Sequence, residues 1–310
     1  MGRNGTFDHA RLIAAFGIVV FHAGAPGAAI GYAGLPFFLI LLVLLALPAA
    51  QCMSLRDFAG LRARRLLRPW LIWSAIYGGL KLAEVAITRQ PLGAEFTPSM
   101  ILTGPALHLW FLPFAFAASL WVYGLARLRQ VLPVPVQVIS AALLLAALGL
   151  LTLHQRGGLP VPLAQWVFAG PAVCLGSIFA VLGTRAVRQA PAVALVVAGL
   201  VGAALMLSGA GGVVQIAVAG AVFALCTAYP RPATPLSDWA AGTAMGVYLV
   251  HPLVLSLLER AAIVQPDTGA MALGGIAGSL LLVAGWQMLM RHLPLAALMP
   301  QGRLANTQRP

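Results

Sequence analysis

Charge is what this chain has least of. Asp, Glu, Lys and Arg together make up 8% of its 310 residues, against 61% for the hydrophobic types. Soluble domains carry about 25% charged residues, and with so few a globule has too little polar surface to stay in solution. That excludes a soluble enzyme or binding module and leaves an integral membrane protein, in keeping with a mean hydropathy of +0.93. Acidic residues are scarcer than basic ones, 7 against 19. Cysteine is also rare: Cys52, Cys174 and Cys226 lie in or beside apolar runs, where a free thiol behaves as a small hydrophobe. Neither a disulfide framework nor a bound metal is expected. A net charge of +12 would suggest nucleic acid on a soluble protein. Here the arginines sit in short stretches between apolar runs, where they set membrane orientation, and no basic face free of the bilayer is left for a nucleic acid.

What the chain has is a series of apolar runs. At about 20 residues per crossing, the sequence reads as an all-α polytopic protein with ten spans. They fall near 11–29, 35–53, 70–87, 108–126, 134–153, 163–182, 190–208, 213–229, 240–258 and 270–290, forming a single membrane domain over 1–310. With the N-terminus in the cytoplasm, 15 of the 19 Lys and Arg fall on that side, and Lys81, Arg89, Arg156 and Arg260 on the other. Such a bias arises from the positive-inside rule only when span number and orientation are both right, so both termini are expected in the cytoplasm. A cleaved signal peptide competes for the opening segment, with its basic start, apolar middle and "AGAPGAA". Its removal would put the arginine-rich stretch after the wrong number of crossings. The longest gaps, read as loops, are 53–68 and 88–107. Lys81 and Glu84, three apart on a helix, read as partners.

Ionisable groups inside a bilayer are costly and mark function, which draws attention to "FDHARLIAAFGIVVFHAG", residues 7–24. On a helix Arg11 and His22 are about 1100° apart, some 20° beyond three full turns, so they share a face with about 16 Å between them along the axis. Asp8 falls on the same face. A carboxylate and a guanidinium are thus expected at the cytoplasmic mouth, with an imidazole deep inside on the same line. The structural alternative for His22 is an imidazole satisfied by a neighbouring helix. His251 lies at a similar depth in its own span, with Tyr248 three residues earlier; its alternative is capping a helix distortion before Pro252. Trp110 reads equally as a site residue or an interfacial anchor.

The first-span pattern Asp-x-x-Arg-x10-His resembles the signature of the bacterial membrane acyltransferases known as acyltransferase family 3. The resemblance continues through "FAGLRARRLLRPWLIWSAIY" (58–77), with Arg65 and Arg68 on an Arg-x-x-Arg element, "HLWFLPF" (108–114) and "GVYLVHPLVL" (246–255). Each motif is weak singly, but the four occur in order across the whole chain. What the resemblance implies is transfer of an acyl group, acetyl above all, from acetyl-CoA to a hydroxyl of an exopolysaccharide, a lipid-linked sugar or a similar acceptor, in the bacterial inner membrane. Arg11, Arg65 and Arg68 would then hold the CoA phosphates, because guanidinium forks onto phosphate. His22, with Asp8, would carry the chemistry as general base or as nucleophile. Trp110, Tyr248 and His251 would line the acceptor site. Two departures from the family are visible. "PFFLILLVLLALPA" lacks the Ser-Gly usual in the second span, and no hydrolase-like domain is expected after the tenth. The chain would therefore complete the transfer alone, pass the acyl group to a partner, or act on an acceptor that reaches the membrane. Self-association is left open.

A proton-coupled transporter or flippase is the rival reading, since ten spans and a buried histidine suit a carrier as well. A carrier, however, has no need of a phosphate site joined along one helical face to an imidazole.

Overall fold

The computed structural model describes residues 3–188 and 212–292. Among these residues there is no β-strand, only an isolated bridge between Asn4 and Pro232. The order is α1 (Gly5–His22), α2 (Ala28–Gly31), α3 (Gly34–Cys52), α4 (Leu55–Thr88), α5 (Leu92–Glu95), α6 (Met100–Thr103) and a 3₁₀ turn (Leu107–Trp110), followed by α7 (Phe111–Val131), α8 (Val136–Arg156), α9 (Leu163–Arg188), α10 (Val213–Ala228), α11 (Pro235–Arg260) and α12 (Gly269–His292). Seven stretches are helical, long and apolar enough to cross a membrane: Ala28–Cys52, Leu55–Thr88, Leu107–Val131, Val136–Arg156, Leu163–Gly183, Pro235–Arg260 and Gly269–Leu289. Helices dominate because lipid offers backbone groups no partner, so each spanning segment must satisfy its own. All but one of the ten expected spans overlap a described helix; the exception, 190–208, lies outside the described residues.

Two boundaries differ from the sequence expectation. The first helix begins at Gly5, capped by Asn4 accepting from the Thr6 N–H, and ends at His22 rather than near residue 29. Gly24 turns the chain with φ +64°, a left-handed conformation that suits glycine. The second difference is larger. Residues 55–68 are not a loop but the first turns of α4, whose 34 residues extend about 51 Å. A hydrocarbon core is about 30 Å thick, so roughly 20 Å of this helix has to emerge from it. Ser54 caps its start, with Oγ accepting from the Asp57 N–H at 3.2 Å and donating to Asp57 Oδ2 at 2.7 Å. Leu, Ala and Arg are strong helix formers, which is why a basic stretch continues the helix.

The residues form two compact units, Met1–Leu35 with Leu225–Pro310, and Pro36–Ala224. In the first, α1 packs on α2, α11 and α12. Ala15, Ile18 and Val19 of α1 and Ala244, Val247 and Leu249 of α11 are fully buried. Helices in lipid associate through close packing of small residues, and α1 meets α2 glycine to glycine: a Cβ on Gly17 would lie 2.6 Å from the Gly31 carbonyl oxygen. In the second unit, α4 packs on α7 and α8 on α9. Leu125, Ile139, Leu143, Ala147, Cys174, Ile178 and Val181 make one of its apolar cores. Arg127 donates to the Met53 carbonyl at 2.6 Å and stacks over Tyr123. Lys81 pairs with Glu95 at 2.5 Å, not with Glu84; a carboxylate brought in by the tertiary fold displaces the neighbour on its own helix.

Candidate active site

The first unit builds its site on α1. The Asp8 side chain is buried, 7% exposed, and takes a 2.8 Å bond from Arg3 Nε. Arg11 approaches it at 3.6 Å, beyond good hydrogen-bond length. Arg3 reaches on to Asp238 of α11 through its other nitrogen. Asp8 is thus satisfied mainly by Arg3, and most of Arg11's five donors stay open for another anion. Sequence reasoning missed Arg3 and Asp238, which lie just outside the expected spans. The start of α1 is held by further bonds: Gly5 N–H to the Arg231 carbonyl at 2.8 Å, Thr6 Oγ1 to the Tyr229 carbonyl at 2.8 Å and Asn4 Nδ2 to the Cys226 carbonyl at 3.0 Å. Asp8 and Arg11 accordingly sit in the first two turns, and His22 is the last residue of the helix.

At that other end His22 meets His251, with ring centroids 4.9 Å apart and planes inclined at 49°. Proline 252 explains the state of the second ring. A helical N–H at position 252 would bond the carbonyl of Tyr248, but proline has none. His251 Nδ1 lies 2.7 Å from that same oxygen. A carbonyl accepts only, so Nδ1 carries the proton and Nε2 is left with its lone pair. The capping role therefore selects a single tautomer. His251 is fully buried and His22 is exposed, which makes His22 the accessible member of the pair. Phe21 stands edge-on to His22 at 5.2 Å and stacks with Tyr32 at 4.0 Å, an aromatic flank that sequence reasoning did not foresee. Asp8 is about 21 Å from His22 along the axis, so it belongs with the arginines and does not touch the imidazole.

The remaining candidates lie in the second unit. Arg65 and Arg68 are exposed on α4. Trp110 is 3% exposed, inside an aromatic cluster with Phe111 and Phe114, and Phe114 in turn meets Trp166. It is a packed residue, not a rim anchor. On the same turn His108 stands edge-on to Tyr77 of α4 at 5.2 Å.

The arrangement puts a guanidinium at one end of a helix and a pair of histidines at the other. The chain belongs to acyltransferase family 3: the family model described as an acyltransferase domain matches residues 4–290. It is a multi-pass membrane acyltransferase. No match was found among curated proteins or among solved structures.

Proposed function

We propose that the protein is a bacterial inner-membrane O-acyltransferase, with ten spans and both termini in the cytoplasm. It moves an acetyl group from acetyl-CoA to a hydroxyl of an exopolysaccharide or lipid-linked sugar. The observation that carries this reading is the His22–His251 contact at the end of a helix whose other end presents Arg11. Arg11 binds a phosphate of the donor at the cytoplasmic side, and Asp8 positions Arg11; within the second unit, Arg65 and Arg68 are the phosphate ligands. About 16 Å further along α1, His22 takes the proton of the acceptor hydroxyl. The alkoxide oxygen then bonds the thioester carbonyl carbon, the carbon–sulfur bond breaks, and the CoA sulfur leaves with the electron pair and is protonated in turn. In the nucleophilic variant, His22 holds the acetyl group on its ring nitrogen between the two halves of the transfer. His251, fixed as the Nδ1–H tautomer, backs His22 and with Tyr248 lines the acceptor side; Trp110 is the acceptor-side candidate of the second unit. Because His22 and Arg11 lie at opposite ends of α1, donor and acceptor enter from opposite faces.

The test is purified protein in oriented vesicles, with labelled acetyl-CoA on one side and a candidate glycan on the other. Label appearing in glycan ester supports the reading. Acetylation only when both substrates share the cytoplasmic side removes the crossing. Glycan movement without ester formation would make the protein a carrier.

A further inference from the structure

By sequence Arg62 is one of the orientation-setting arginines between two apolar runs. Four arginines at the start of α4, Arg56, Arg64, Arg65 and Arg68, are exposed. Arg62 alone among its neighbours is turned inward. It is 9% exposed and lies on the stripe with Phe58, Leu66, Pro69, Trp73 and Tyr77 that α4 buries. Its guanidinium carbon is 5.4 Å from the centre of the Phe58 ring, and Phe58 lies 5.4 Å from Tyr123. An aromatic face attracts a cation but supplies no counter-charge. Among the described residues Arg62 forms no ion pair, and its Nε is buried without an acceptor.

No carboxylate of this unit is placed to compensate it. The unit holds three, Asp57, Glu84 and Glu95. Asp57 is about 140° away around the helix and is engaged by Ser54. Glu84 is some 33 Å further along the axis. Glu95 is held by Lys81. Only Nε is enclosed without a partner, so the terminal nitrogens keep an opening; an N–H left unsatisfied there is costly, and a guanidinium kept in this state points to an anion that comes and goes. A second observation lies on the same inward stripe: Trp73 Nε1 is also buried without an acceptor among the described residues. Trp73 is eleven residues beyond Arg62, about 16 Å, the spacing that separates Arg11 from His22.

We propose that Arg62 is an inward-facing phosphate ligand for the CoA donor, one turn before Arg65 and turned well away from the exposed Arg56, Arg64 and Arg68. This rests on the donor assigned above. The phosphate sits on the Arg62 fork, and the extended arm of the donor passes the indole N–H of Trp73.

The experiment uses the full-length protein in phospholipid-free detergent and measures CoA and pantetheine, which lacks phosphate, by calorimetry. Arg62→Met is expected to weaken CoA about ten- to a hundredfold, the worth of a charge-assisted hydrogen bond. Its pantetheine affinity should stay that of the wild type. Arg62→Lys should restore only part of the loss, because a point charge cannot reproduce the fork. Arg64→Met should bind CoA within about twofold of the wild type, as Arg64 points about 160° away from Arg62 around the helix and holds no phosphate in this scheme. Unliganded Arg62→Met should melt at or above the wild-type temperature, since it sheds an uncompensated charge, and it should lose the rise that CoA causes. Wild-type CoA affinity in Arg62→Met would overturn the inference and leave the donor standing. Unchanged affinity with loss of co-purified phospholipid, seen by mass spectrometry, would assign Arg62 to a lipid headgroup instead. A wild-type protein with no CoA affinity would overturn both readings.

Discussion

The relation between Pro252 and His251 yields a test that needs no substrate. Proline 252 leaves the Tyr248 carbonyl without its helical donor, and His251 Nδ1 supplies one at 2.7 Å in a fully buried setting. Replacing His251 by Ala removes that donor and should cost about 1–3 kcal/mol for the carbonyl, besides the lost packing of the ring. In a Pro252→Ala background the carbonyl has the new N–H to fall back on. There, His251→Ala should cost about 1–2 kcal/mol less. The readout is thermal unfolding of four purified full-length proteins: wild type, each single variant and the double variant. Coupling of this size with this sign supports the assignment of the tautomer. Additivity within about 0.5 kcal/mol would refute it, because the proline and the imidazole would then not serve the same oxygen. Pro252→Ala alone should also fold at least as stably as the wild type while transferring acetyl more slowly, since the carbonyl would no longer hold His251 in a single tautomer.

His22→Ala should lower transfer about 10²–10⁴-fold, the usual worth of a general base, with little change in melting temperature, because the ring is exposed at a helix end; near wild-type glycan acetylation in this variant would end its assignment. Arg11→Ala should weaken CoA binding in calorimetry, and Arg11→Lys should rescue it poorly, whereas normal binding by Arg11→Ala would move the phosphate site elsewhere. Gly24→Ala should destabilise the protein by about 1 kcal/mol or more: the residue has φ +64°, and the new Cβ would lie 1.8 Å from Asp267 Oδ1. Adding Asp267→Ala should recover only the steric part, so full rescue, or no loss at all in the single variant, would refute this account of the turn.

Much of the architecture is legible in the composition. A bilayer admits few backbone solutions, so long apolar runs became helices wherever the chain is described. Their ends were less legible. The apolar run that begins at Phe7 continues past His22 through Ala23, Ala25 and Ala28, but the turn at Gly24 depends on a backbone angle that hydropathy does not register. Residues 55–68 misled for the converse reason: charge reads as loop, while arginine and leucine are good helix formers in water or at its edge. Once that helix is known, the inward turn of Arg62 follows from its spacing of four residues to Phe58 and Leu66 and seven to Pro69.

The sequence alone determined the membrane class, the family and the alignment of Asp8, Arg11 and His22 on one face, because these depend on composition and local periodicity, and a helix has only one period. It could not say that Arg3 would take most of Asp8, that Glu95 would displace Glu84 at Lys81, or that His22 would end its helix against His251. Those pairings join residues 5, 14 and 229 positions apart. Which of several chemically equivalent partners a charge or a ring meets depends on how the helices pack, and only the tertiary structure decides that.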